Sequence, residues 1–342
     1  MRDIHLSDIS RHRSAIMGIA MICIILFHVG VPRQDAFYGV CRMGNIGVDI
    51  FLFLSGIGLW YSWTREPSGT QPFLRRWLSF YWRRLRRVYP AWLLVASAFY
   101  IPRFMAHDSH SPAEWADLIG DVLVNWDFWL NDELTFWYIP ATMMLYIFAP
   151  PYMALIRRLP AYRWLVVAAF MWCIIMQYVT PIHNAVGHIE IFWSRVPIFF
   201  LGINIAAGVK ADTTLHRHTL WLVILLFGTS LAACVWLEQM RHGRFPLFVE
   251  RMLYIPLAVS FILLLAQALS RMPRWFNMAM IWVGGISLET YLLHIEFVMR
   301  DIKTLHLGYW PTAMLTIAVT LPVAWLLHKA IDKVLDIAGR KG

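Results

Sequence analysis

The chain has 342 residues, of which 59% are hydrophobic and only 15% charged, with a formal net charge of +9. A soluble globular domain, with apolar residues at about 45–50% and charged residues near a quarter, is excluded by that balance. The 18 Trp and 13 Tyr suit rings seated at the headgroup level of a bilayer.

The expected fold class is therefore an all-α polytopic membrane protein. With about 20 apolar residues per crossing, ten spans are predicted near 14–31, 46–63, 88–106, 135–156, 164–180, 192–209, 219–238, 252–270, 278–298 and 312–330. No small-residue cleavage site follows the first, which runs into Val31-Pro32-Arg33 and reads as a retained helix. No internal repeat or linker divides the chain, so residues 1–342 read as one domain.

Placing both termini in the cytoplasm puts most of the 30 Lys and Arg on that side, from Arg2, Arg11 and Arg13 to Arg340 and Lys341. The longest outer loop, 107–133, is acidic instead, with Asp108, Glu114, Asp117, Asp121, Asp127, Asp132 and Glu133. The basic excess thus reads as topology and anion contact, with no soluble basic surface for nucleic acid. Cys23, Cys41, Cys173 and Cys234 lack metal-ligand spacing and read as small buried hydrophobes without a disulfide. His183 and His188 likewise carry no metal-like context, and no metal is expected.

The polar residues inside these spans fall at two depths. His28 lies about 22 Å along a helix from Arg13, near the outer boundary of a core about 30 Å thick. Asp49 opens the second span at the same level, and Trp137, Tyr138 and Arg195 open later ones. Tyr291 and His294, one turn apart, share a face in the outer half of the ninth. Ionisable groups at membrane depth mark function by default, and His28 with Asp49 has the makings of a base and its orienting carboxylate. Asp49 also stands where a helix cap would. At the cytoplasmic depth, Arg83-Arg84-Leu85-Arg86-Arg87-Val88-Tyr89-Pro90 leads into the third span. Its guanidinium forks suit phosphates, and also anionic headgroups. A substrate held by phosphates inside and reacting near the outer boundary has the form of coenzyme A, a phosphorylated nucleotide with a thin arm.

Six segments together resemble the membrane acyltransferase 3 family. They are Gly18 to His28, Gly47-Val48-Asp49 to Gly56, Arg83 to Pro90, Trp137-Tyr138-Ile139-Pro140-Ala141 to Pro150, Arg195 to Gly202, and Ile286 to His294, in order over almost the whole chain. The resemblance implies a bacterial inner-membrane enzyme that moves an acyl group, commonly acetyl, from cytoplasmic acyl-CoA to a hydroxyl of an envelope glycan or lipid-linked sugar. Met17 stands where the family usually has an arginine; Arg13, one turn earlier on the same face, has the reach to replace it. Thr142 and Met143 stand where many members carry a glutamate.

In this reading neutral His28 is the general base on an acceptor hydroxyl and Asp49 fixes its tautomer. His294, Tyr291 or Arg195 stabilises the oxyanion. Arg84 and Arg87, helped by Arg83, Arg86, Tyr89 and Arg13, hold the donor, acetyl-CoA or another acyl-CoA. Acylation of the histidine itself is an alternative route. Two other classes stay open: a proton-coupled transporter, because membrane His and Asp build proton relays, and a non-catalytic partner of glycan export.

Overall fold

The computed structural model describes residues 3–65, 73–106 and 111–339. Arg2, Asp108, Arg340 and Lys341 lie outside the described residues. The architecture is helical, with a single two-residue strand pair among the described residues, β1 (Ile4–His5) antiparallel to β2 (Thr214–Leu215).

The helices that carry the fold are α1 (Arg13–Val29), α2 (Ile46–Thr64), α3 (Phe73–Met105), α4 (Tyr138–Arg158), α5 (Leu165–Tyr178), α6 (Val196–Lys210), α7 (Thr219–Arg241), α8 (Leu247–Leu269), α9 (Arg274–Gly285), α10 (Ser287–Leu293) and α11 (Tyr309–Gly339). Each of the ten segments predicted from sequence falls on one of these helices or on the α9–α10 pair. Judged by length and apolarity, six helices among the described residues qualify to cross a membrane, or eight when two bent pairs count as one span each. The difference from ten has two causes. Helix α1 is apolar but only 17 residues long. Helix α3 runs 33 residues without a break, so the arginine run is the first half of the helix that supplies the third segment.

Contacts between the connecting segments define two ends. At one, Gln267 Nε2 donates to the Asp3 carbonyl (3.5 Å), Asn204 Nδ2 to the Arg163 carbonyl (3.0 Å), and Ser10 pairs with Tyr61 (2.9 Å). At the other, Lys303 Nζ donates to the His28 carbonyl (2.8 Å), Gln239 Nε2 to that of Asp35 (3.1 Å), and His188 Nε2 to that of Trp129 (2.8 Å). The arginine run lies toward the first end and His28 at the second.

Small residues bring the central helices together, as expected where van der Waals packing drives association. A Cβ at Gly56 of α2 would strike the Phe199 carbonyl of α6, and one at Gly202 of α6 the Phe53 carbonyl of α2. Gly18 of α1 and Gly284 of α9 meet in the same way. Immediately after that contact the chain bends by 62° between α9 and the helical stretch Ser287–Lys303. Ser287 Oγ donates to the Gly284 carbonyl (2.9 Å) and Thr290 Oγ1 to that of Ile286 (2.9 Å). Hydroxyls thus satisfy backbone groups at the break, the condition for interrupting a helix in an apolar surround. A π-helical turn, His294–Met299, follows; such turns insert one extra residue and re-aim side chains.

Candidate active site

Helices α1, α2, α3, α4 and α10 line a partly open cavity. One side carries three guanidinium groups, Arg13, Arg84 and Arg87. The others carry Met17, Ile24, Val48, Phe51 and Val88 together with hydroxyls of Ser55, Tyr138, Thr142, Tyr146 and Tyr291.

Helical phase explains which arginines enter. Arg84 and Arg87 are three apart and share a face of α3, and both line the cavity. Arg83 and Arg86, about 100° around the helix from them, are exposed and do not line it. Tyr89 is half-buried against a neighbouring apolar crevice, beside Leu85 and Trp82. Of the arginine run, Arg83, Arg86 and Tyr89 thus stand outside this lining. Arg13 does belong to the lining, lying across Gly58 of α2, where an added Cβ would sit 2.9 Å from its Nη2. Met17, one turn on, lines the same cavity. Arg13 thus brings a guanidinium to the face on which the sequence has methionine.

Beyond Ile24 and Tyr291 of that lining stand the two histidines. His28 Nδ1 lies 2.9 Å from the Ile24 carbonyl and 3.1 Å from His294 Nε2. His294, fully buried, places Nδ1 2.7 Å from the Tyr291 carbonyl and 3.2 Å from that of Thr290. A carbonyl only accepts, so Nδ1 of each ring carries a proton. In the neutral rings both Nε2 atoms are then acceptors. His294 Nε2 receives the His28 Nδ1–H, and His28 Nε2 keeps a free lone pair. The Tyr138 N–H donates to the Tyr291 hydroxyl oxygen (3.3 Å), which leaves that phenolic proton available to a ligand.

Asp49 is not the partner of His28. Gly47 packs its bare face on Ala20 and Ile24 of α1. Asp49, two residues on and about 200° around the helix, points to the side of Gly56, toward α6. There its carboxylate is fully buried, 4.0 Å from Arg195 Nη2, with no hydrogen-bond partner on either oxygen among the described residues. Arg195, 1% exposed, donates to the Ile191 carbonyl (3.2 Å) and Asn45 Oδ1 (3.4 Å) and lies 4.9 Å over the Trp137 ring. Arg251 joins Glu190 nearby at 3.1 Å. This charged core near the second end was invisible in the sequence, where Glu190 and Arg251 look like ordinary interfacial residues. Arg195, expected beside the oxyanion, sits in this core on the Asp49 side of α2, with its Nε left without a partner among the described residues.

A second, wider pocket opens at the His28 end. His28, Arg42, Lys303 and Tyr309 line it. The acidic segment lies elsewhere at that end: helix Pro112–Val124 starts with a capping box of Ser111 and Glu114, and Asp121 accepts the Asp127 N–H (3.1 Å). Burial pushes the Asp121 carboxyl up to about 7. Among the described residues no group of three His, Cys, Asp or Glu is placed to hold a metal.

A family model described as an acyltransferase domain matches residues 15–329. The chain belongs to the acyltransferase 3 family. It is accordingly an integral membrane protein of a family that transfers acyl groups, which requires an acyl donor and an acceptor. The chain is also similar to the regulator of hypoxia-inducible factor 1 of Caenorhabditis elegans, 28% identical over 171 residues, or 42% of this chain and 34% of that protein. It spans about a third of that curated relative's length. No solved structure matches.

Proposed function

We propose that this acyltransferase moves an acyl group, commonly acetyl, from cytoplasmic acyl-CoA to a hydroxyl of an envelope glycan or lipid-linked sugar at the outer side of a bacterial inner membrane. The observation that carries the reading is the continuity of the site. Three guanidiniums line one side of a cavity whose apolar and hydroxyl-bearing lining reaches within one helical turn of the His28–His294 pair. Arginine forks bind phosphates bidentately, and the lining between suits a thin, largely uncharged arm. With the arginine end in the cytoplasm, as the distribution of Lys and Arg favours, the thioester reaches His28 near the outer boundary.

In the proposed step, His28 Nε2 takes the proton of the acceptor hydroxyl as its oxygen bonds to the thioester carbon. The imidazolium is stabilised by His294 Nε2 through its Nδ1–H, the part first expected of Asp49. The Tyr291 hydroxyl donates to the developing oxyanion. The C–S bond then breaks, and the CoA thiolate takes the proton back from His28.

The deciding experiment is acetyl-CoA binding to the purified protein. We expect Arg84→Ala/Arg87→Ala to weaken it by a factor of about 10²–10⁴, from about 1.5–3 kcal/mol per charged hydrogen bond. His28→Ala should bind normally and lose turnover. No binding of acetyl-CoA or longer acyl-CoAs by folded protein would overturn the reading and bring proton-coupled transport forward.

A further inference from the structure

The wide pocket beside His28 has a charge pattern that the donor site does not use. Of its cations, Arg42 is already engaged: its Nε lies 3.4 Å from Glu238 and its guanidinium 4.5 Å over the Phe27 ring. Lys303 is different. It is exposed, its Nζ donates to the His28 carbonyl at 2.8 Å, and no carboxylate lies within 4.0 Å of it among the described residues. The only carboxylate in the lining among the described residues, Asp35, accepts the Phe37 N–H at 2.7 Å. The first turn of α11, a 31-residue helix, contributes Tyr309 and Thr312 to the wall. His28 lines the same pocket.

A neutral sugar gains only a hydrogen bond from an ammonium that has no carboxylate beside it. An anionic one gains a charge partner as well. We propose that this pocket is the acceptor site and that it selects a hydroxyl compound bearing a carboxylate or phosphate, which Lys303 receives while His28 Nε2 faces the hydroxyl. The inference rests on the acyltransferase reading above and adds the charge class of the acceptor.

Cys41, half-buried in the same wall, reports on the pocket without any acyl transfer. Full-length protein in nanodiscs is treated with an anionic or a cationic methanethiosulfonate reagent, and modification of Cys41 is followed by mass spectrometry, with Cys41→Ser as blank. We expect the anionic reagent to react about tenfold faster, after normalisation to free cysteine, and Lys303→Gln to bring the ratio toward one. A ratio at or below one, an unchanged ratio in Lys303→Gln, or no reaction of Cys41 overturns the proposal. Protection of Cys41 is then compared for glucose, glucuronate and glucose 1-phosphate, and for discs with or without phosphatidylglycerol. Protection by the charged sugars indicates a soluble anionic acceptor, and protection confined to phosphatidylglycerol discs indicates a lipid-borne one. Equal protection by glucose, or protection by none, overturns it. Acetyl-CoA binding by wild-type protein is measured alongside. Its absence with a tenfold ratio retained marks failure of the acyltransferase reading, not of the pocket's selectivity.

Discussion

Replacing His294 by alanine removes one acceptor atom, 3.1 Å from His28 Nδ1, and touches neither the arginines nor the outer pocket. That acceptor matters most when His28 carries the extra proton. A hydrogen bond to a charged group contributes about 1.5–3 kcal/mol, and each 1.36 kcal/mol is tenfold in rate. His294→Ala should therefore lower kcat about 10- to 150-fold with little change in KM for acetyl-CoA. His28→Ala, which removes the base, should lose about 10²–10⁴. Asparagine at position 294, which keeps an acceptor oxygen, should recover part of the loss. The assay is release of CoA thiol from acetyl-CoA by protein in nanodiscs, with native envelope material as acceptor, and thermal unfolding recorded in parallel. A kcat within twofold of wild type, or a loss confined to KM, would refute the argument that His294 orients and stabilises His28. A drop in thermal stability alone would leave it equally without support.

Three further outcomes follow from the geometry. Asp49→Asn strips the buried anion from Arg195, and breaking a buried ion pair costs about 3–5 kcal/mol; at 4.0 Å the lower figure applies. Its melting temperature should fall while kcat of the folded fraction stays well above that of His294→Ala, and a stable but inactive Asp49→Asn would restore the His28–Asp49 pairing. Arg13→Ala should weaken acetyl-CoA binding about tenfold or more, and unaltered binding would remove Arg13 from the anion site. Asp121, with its carboxyl raised by burial to about 7, favours folding while protonated. Its contribution is full below about 3.8 and is lost as pH rises through about 7, so wild type should melt lower at pH 8.5 than at pH 5.5. Asp121→Asn should flatten that trend; parallel profiles for the two proteins would contradict it.

Depth was legible in the sequence and azimuth was not. Rise per residue places His28, Asp49, Tyr138 and His294 at one level from their spacing to charged boundaries, and they do gather at one end of the molecule. Which of them touch depends on the rotation of each helix. For α2 that rotation is set by Gly47 against α1 and Gly56 against α6, contacts between segments far apart in sequence. The same holds for the arginines: three-residue spacing put Arg84 and Arg87 on one face, but only the packing of α3 shows that this face, and not that of Arg83 and Arg86, turns inward. The break after Gly285 was also hidden, because Gly-Gly followed by Ile and Ser is as apolar as an unbroken span. Lys303 gave no signal at all, since the role proposed for it comes from the lack of a carboxylate around it among the described residues.

The two histidines belong to different limbs of one lever. His28 rides on α1, whose Gly18 is clamped to α9 through Gly284, whereas His294 lies on the far side of the 62° break. It stands eight residues past Ile286, an arm of about 12 Å at 1.5 Å per residue. A change of about 10° at the break would swing His294 by about 2 Å, enough to part a 3.1 Å contact beyond hydrogen-bonding range. The His28 tautomer, held by the Ile24 carbonyl of its own helix, would survive such a swing; the contact between the two rings would not, and it is thereby tied to the angle at the break.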